Sequence, residues 1–157
     1  MDDGETRAVA ALEASGITFT LTRHGRVGSL AEAAAARGVE PAGIVKTIVV
    51  RRGEGDFLFV LVPGDRTIAW PKLRTLLGVS RLSMPDADVA LEVTGYVRGT
   101  ITPFGSLAEW PVVADERIVG REVSIGAGAH GVAATVVGDD LVVALDAQVA
   151  DVTDPEA

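Results

Sequence analysis

Hydrophobic positions along this chain follow two periods. Residues 44–50 (Ile-Val-Lys-Thr-Ile-Val-Val) are rich in β-branched side chains, and residues 57–62 are apolar at every position, so the first reads as a strand and the second as a strand buried on both faces. Residues 17–22 alternate Ile17, Phe19 and Leu21 with three threonines, which predicts a strand with one dry and one wetter face. Shorter strands are expected at 110–114, 122–125, 132–137 and 149–152.

Helical spacing appears elsewhere. Residues 5–15 place Val9 and Leu12 on one face before Gly16, and Ser29 with Glu32 has the spacing of a capping box for a helix running to Arg37. Trp70-Pro71 opens a helix carrying Leu73, Leu76 and Leu77 that stops at Gly78. Residues 86–93 predict another, and Asp139 or Asp140 caps a short one through Leu145. Gly53 to Asp56 reads as a hairpin loop, and Pro63-Gly64-Asp65 as a turn. Helices and strands interleave irregularly, which gives an α+β class in a single domain of residues 1–157, with the acidic ends 1–5 and 153–157 expected to be disordered.

Two features break these patterns. Alternation puts Lys46 on the face of Ile44, Ile48 and Val50, where an ammonium needs an acceptor or an anion unless it snorkels to water. Residues 94–105 (Thr-Gly-Tyr-Val-Arg-Gly-Thr-Ile-Thr-Pro-Phe-Gly) mix three glycines with a proline, so flexible and rigid backbone alternate in a loop suited to close approach of a ligand. This loop is expected to form one wall of a pocket and Lys46 another; a plain glycine-rich connection is the alternative. His24, in a loop with Gly25, Arg26 and Gly28, either borders that pocket or lies on the surface. The glycines of residues 126–131 have a dinucleotide-loop spacing, but the segment after them reads as a strand, so they are assigned to a turn between strands.

Composition narrows the chemistry. With no cysteine and two histidines among 157 residues, thiol catalysis, iron–sulfur clusters and a histidine-rich metal site are excluded, and no cofactor or metal is expected. No apolar run approaches a membrane span, and the chain is read as cytoplasmic. The net charge of −8 opposes nucleic-acid binding by the whole surface, but residues 1–81 hold 11 of the 14 basic and 9 of the 22 acidic residues, so a local basic surface is compatible with it.

Taken together, Val45-Lys46-Thr47-Ile48-Val49-Val50, Leu61-Val62-Pro63-Gly64-Asp65, Thr94-Gly95-Tyr96, Gly99-Thr100-Ile101-Thr102-Pro103-Phe104-Gly105, the strand from Pro111 to Asp115 and the Gly128-to-Gly131 turn resemble, in order and spacing, the YbaK/prolyl-tRNA-synthetase-associated domain family of aminoacyl-tRNA editing domains. The resemblance covers nearly the whole chain. It implies a curved, mixed and partly barrel-like β-sheet with helices around it, and hydrolysis of the ester of mischarged tRNA, in particular tRNA-Pro carrying a small wrong amino acid. It implies Lys46 and Gly99 as catalytic residues, and Thr47, Gly95, Tyr96, Thr100, Ile101, Thr102, Pro103, His24 and Gly128 as substrate-binding. Thr47 enters on the resemblance alone, since alternation puts it on the strand face opposite Lys46.

An activated ester with a neighbouring ribose hydroxyl can be hydrolysed by placing a water and stabilising the oxyanion, which suits a chain with no nucleophile elbow. The implied partners are the acceptor end of mischarged tRNA and prolyl-tRNA synthetase. Members that prefer cysteinyl-tRNA are expected to carry an acid shortly after the glycine turn, where this chain has Ala133 and Ala134, and an aromatic hydroxyl near His24. Cysteine, alanine, serine and threonine therefore all remain as the amino acid removed. A catalytically silent tRNA- or synthetase-binding module and a small-molecule sensor are the alternative functions.

Overall fold

The segment Asp56–Pro63 is apolar on both faces because both faces are covered: Phe57, Phe59 and Leu61 join one hydrophobic cluster, and Leu58, Val60 and Val62 join another. The computed structural model describes residues 3–156. In chain order its elements are α1 (Asp3–Ser15), β1 (Thr20–Arg23), α2 (Leu30–Arg37), β2 (Val45–Gly53), β3 (Asp56–Pro63), β4 (Arg66–Ile68), α3 (Trp70–Leu77), α4 (Ala87–Thr94), β5 (Val112–Asp115), β6 (Glu122–Gly126), β7 (Val132–Val137), α5 (Gly138–Ala144), β8 (Gln148–Ala150) and β9 (Thr153–Pro155). No described helix is long and apolar enough to cross a membrane.

One sheet has the order β2-β3-β5-β8, with an antiparallel β2–β3 hairpin and parallel pairings beyond it. A second, antiparallel sheet has the order β1-β7-β6. They are joined where Ile44, at the entrance to β2, forms a parallel bridge with Ser124 of β6. Paired residues point to the same side of a sheet, so the faces run on across the junction. On the inner face Val45 and Val49 pack with Val123, Ile125, Ala134 and Leu12 of α1. On the outer face of β2 and β3, Val50, Leu58, Val60 and Val62 are covered by Leu73 of α3.

The helix ends follow the local chemistry. Ser29 Oγ accepts from Glu32 N at 3.1 Å, while the Glu32 carboxylate reaches past Ser29 to the Gly28 amide at 2.8 Å, a capping box displaced by one residue. Glu5, in the first turn of α1, is nearly fully buried, and its carboxylate takes both Nη atoms of Arg23 at 2.6 Å. That bond holds the Glu5 carboxyl below its ordinary value.

The chain end departs from expectation. Thr153–Pro155 is not disordered but pairs with β4 as β9. The physical reason is Asp115, fully buried at the end of β5, whose carboxylate accepts from Val152 N at 3.2 Å, Thr153 Oγ1 at 2.9 Å and the Arg117 guanidinium at 3.2 Å. Arg66 of β4 closes the arrangement by donating to Thr153 Oγ1 at 2.7 Å. Of the other end expected to be disordered, residues 3–5 are helical, and residues 1 and 2, like residue 157, lie outside the described residues. The strand expected at 17–22 pairs only over Thr20–Arg23, while Ile17 and Phe19 pack on the core.

Two predictions follow from these contacts. A Cβ on Gly138 would sit on the backbone carbonyl of Ile118, so Gly138→Ala should lower unfolding stability by about 2–3 kcal/mol in denaturant titration, and unchanged stability would contradict that packing. Asp151 lies between Arg117 at 2.9 Å and Lys72 at 3.0 Å, with Arg117 the larger cause of a carboxyl pKa lowered to about 2. The stabilisation is complete above the ordinary carboxylate value of 3.8 and is lost as pH falls toward 2, so Asp151→Asn should flatten the dependence of Tm on pH in that window.

Candidate functional site

The register of the joined sheets produces a transverse row. Thr22 of β1 pairs with Ala133 of β7, and Ala133 pairs with Gly126 of β6. Two residues beyond the Ile44–Ser124 bridge, the parallel direction sets Lys46 of β2 level with Gly126, and Lys46 pairs with Val62 of β3. All five share the outer face, because their chain neighbours Leu21, Ala134, Ile125, Val45 and Leu61 face the inner core. The middle of the row carries only a hydrogen and a methyl as side chains. On the same face, one level down, the Ser124 hydroxyl is buried without a hydrogen-bond partner among the described residues.

The loop after α4 lies over this row. A Cβ on Gly126 would point at the carbonyl oxygens of Ile101 and Thr100, at 3.6 and 3.8 Å. The loop is held by its own bonds. Tyr96 is 1% exposed and donates its hydroxyl to Phe104 O at 2.6 Å, and Arg7 of α1 stacks on the Tyr96 ring while donating to Gly95 O at 2.6 Å and Gly105 O at 3.3 Å. Burial pushes the Tyr96 phenol above its ordinary pKa, with Arg7 opposing the shift. Thr100 donates its amide and its hydroxyl to Val97 O, at 3.0 and 2.7 Å. Gly99, at φ 90, must be glycine to make this turn, and the N–H groups of Gly99, Ile101 and Thr102 have no acceptor among the described residues.

The turn between β6 and β7 completes the surroundings. Gly128, at φ 86, packs directly on the Gly4 carbonyl at the start of α1, and His130 stands next to Gly99, 3.2 Å from where a Cβ would be. His24 N donates to Gly131 O at 2.9 Å. Arg37 Nε donates to His24 Nε2 at 3.3 Å, so the ring carries its proton on Nδ1 and directs it at Gly25 O, 2.8 Å away. Burial holds the Arg37 guanidinium below its ordinary value.

The structure thus gathers His24, Lys46, Gly99, Thr100, Ile101 and Gly128 around the row, but it separates others from them. Lys46 is half-buried, and its Nζ donates to Arg66 O at 2.8 Å. Thr47 faces the inner core between Val45 and Val49, as strand alternation requires, with Oγ1 buried and without a partner among the described residues. Tyr96 and Thr102 are buried within the loop and Gly95 accepts from Arg7, so these three set the loop's shape. Pro103 borders a different cleft, of about 660 Å³, with Arg52, Trp110 and Asp146. That cleft gathers none of the other expected site residues.

Sequence reasoning passed over Gly126, Thr22, Arg37 and His130. The signal available for Gly126 was its position as the first glycine of its cluster, in phase with Ser124 on the strand. Of the two alanines standing where an acid was expected, only Ala133 lies on the row; Ala134 packs in the core.

The chain is similar to known proteins in sequence and in fold. The sequence model of the aminoacyl-tRNA editing domain matches residues 24–144. A proline–tRNA ligase of Trichlorobacter lovleyi is 39% identical over 87 residues, which are 55% of this chain and 15% of the ligase, so the chain corresponds to a small part of that enzyme. EbsC of Enterococcus faecalis, a proposed Cys-tRNA(Pro)/Cys-tRNA(Cys) deacylase, is 24% identical over 76% of this chain and 73% of its own length. A crystal structure described as a proposed trans-editing enzyme for prolyl tRNA synthetase superimposes with a TM-score of 0.88 at 27% identity, covering 98% of this chain and 99% of that one. The chain belongs to the aminoacyl-tRNA editing domain family.

Proposed function

We propose that this protein is a deacylase that acts in trans, hydrolysing the ester of tRNA charged with a small wrong amino acid, with mischarged tRNA-Pro in the cytoplasm as its substrate and prolyl-tRNA synthetase as a partner. The observation that carries this reading is the row Thr22, Ala133, Gly126, Lys46, with the unpaired amides of exposed Gly99 and half-buried Ile101 in the loop above it.

Attack of water on the aminoacyl ester moves negative charge onto the carbonyl oxygen, and backbone N–H groups already held in place stabilise that charge without reorganising. The loop offers such groups because its shape is fixed by Tyr96 and Arg7 rather than by the ligand. Lys46 supplies a positive charge to the same carbonyl oxygen or to the terminal phosphate, exchanging the Arg66 carbonyl for the substrate. A hydroxyl of the substrate orients the water, so no protein nucleophile takes part. Gly126 and Ala133 place only a hydrogen and a methyl beneath the loop and offer the amino acid no carboxylate.

A second reading, a module that binds tRNA without hydrolysis, is favoured by the bond that already occupies the Lys46 ammonium. A panel of mischarged tRNAs separates the two readings: release of a small amino acid supports the deacylase, and binding without release across the panel supports the module.

Lys46→Ala is expected to slow deacylation by about 10²–10³-fold with the fold retained. Wild-type turnover by that variant would leave Lys46 only the role of tying β2 to β4. Gly126→Ala places a methyl at ordinary contact distance from the loop, on backbone outside the left-handed region, so the protein should fold normally. Its kcat/KM should nevertheless fall by about tenfold or more as the space for the amino acid shrinks, and an unchanged value would move the substrate off the row.

A further inference from the structure

The protein carries a net charge of −8, yet one cleft of about 580 Å³ is lined by Arg51, Arg52, Arg74 and Arg81 together with Ser80 and Ser83. The chain builds it deliberately. Gly78, at φ 68, turns the backbone out of α3, and Val79 N bonds back to Arg74 O at 3.1 Å. Arg51 and Ser83 then exchange backbone hydrogen bonds of 2.7 and 3.1 Å, which fixes residues 80–83 against the end of β2.

Only one of these guanidinium groups is neutralised. Arg52 meets the Asp56 carboxylate at 3.0 and 3.2 Å. Arg51 donates to a backbone carbonyl, that of Gly53, and neither it nor Arg74 or Arg81 forms an ion pair among the described residues. Like charges gathered around one concavity repel each other, and that cost falls when an anion enters. Serine hydroxyls at the same lip add uncharged donors of the kind that phosphate oxygens accept.

We propose that this arginine cleft docks the phosphate backbone of the RNA whose 3′ end enters the site at Lys46; the proposal rests on the function given above. Arg51 lies five positions beyond Lys46 along β2, about 17 Å at ~3.3 Å per residue. A stacked strand rising ~3.4 Å per nucleotide covers that distance in about five nucleotides. The cleft therefore lies within reach of the phosphates that precede the 3′ end when that end is at the row. This division gives the row the ester and the arginines the sequence-independent affinity that an acidic protein otherwise lacks.

The test uses the full-length protein with uncharged tRNA, by fluorescence anisotropy over a salt series, so it does not depend on hydrolysis. Arg74→Glu/Arg81→Glu is expected to weaken binding by tenfold or more and to make the slope of log K against log salt shallower by about one to two. Arg81→Ala, at an exposed position, should shift both in the same direction by less, which covers the case in which the double variant folds poorly. Arg121→Glu, exposed and remote from the cleft, is the control for net charge and should bind tRNA as the wild type does. Hydrolysis of a small 3′-aminoacyl-adenosine ester should be the same for wild type and the cleft variants. Cleft variants that bind tRNA with wild-type affinity and slope, or that are matched by Arg121→Glu, overturn the proposal even if deacylation is found. Loss of binding confined to the cleft variants supports it even if no deacylation is found.

Discussion

Where Ile44 lies beside Ser124, a three-stranded and a four-stranded sheet become one curved surface, and everything proposed for the site depends on that junction. It is a parallel contact at one bridge, yet it sets the register that brings Lys46 level with Gly126 and Ala133. Inside the curve, branched and aromatic side chains of both sheets form a continuous core. Outside it, the large side chains under α3 give way to glycine, alanine and hydroxyl residues on β6, β7 and β1. The change in side-chain volume along one face separates the part that packs a helix from the part that the loop at residues 100 and 101 covers.

Backbone approaches replace side chains around that part. Gly126, Gly128 and Gly131 each stand where a Cβ would point at another segment's carbonyl: the loop at residues 100 and 101, the start of α1, and His24. Three remote stretches can therefore converge on one turn. The loop itself is rigid, because a buried tyrosine and an arginine from α1 satisfy its carbonyls. Preorganisation of this kind suits an ester hydrolase without a covalent nucleophile, since the donors must be in place before charge develops.

Much of the fold was legible in the sequence because the signals were local. The capping serine, the Trp70-Pro71 helix start, the glycine stops and the doubly buried β3 all follow from residues within a few positions of one another. β4 and β9 were not, since each is three residues long, and their pairing is held by Arg66 of β4 and Asp115 of β5, both far from Thr153 in sequence. The expected site was legible as a set of residue types but not as a geometry. Tyr96 has the chemistry of a ligand contact, and only tertiary packing shows its hydroxyl spent on Phe104. Gly126 carries no side chain to notice, and its importance comes from cross-strand register, which single-strand periodicity does not contain.

That the aminoacyl end of RNA occupies the outer face of the row, beneath the Gly99 and Ile101 amides, is the central proposal. It is tested most directly by amide chemical-shift mapping with a non-hydrolysable 3′-aminoacylamino-adenosine. Shifts centred on Gly99, Ile101, Gly126 and Ala133 are the predicted result. Shifts centred instead on Trp110, Val112 and Asp146, in the cleft that Pro103 borders, would contradict it.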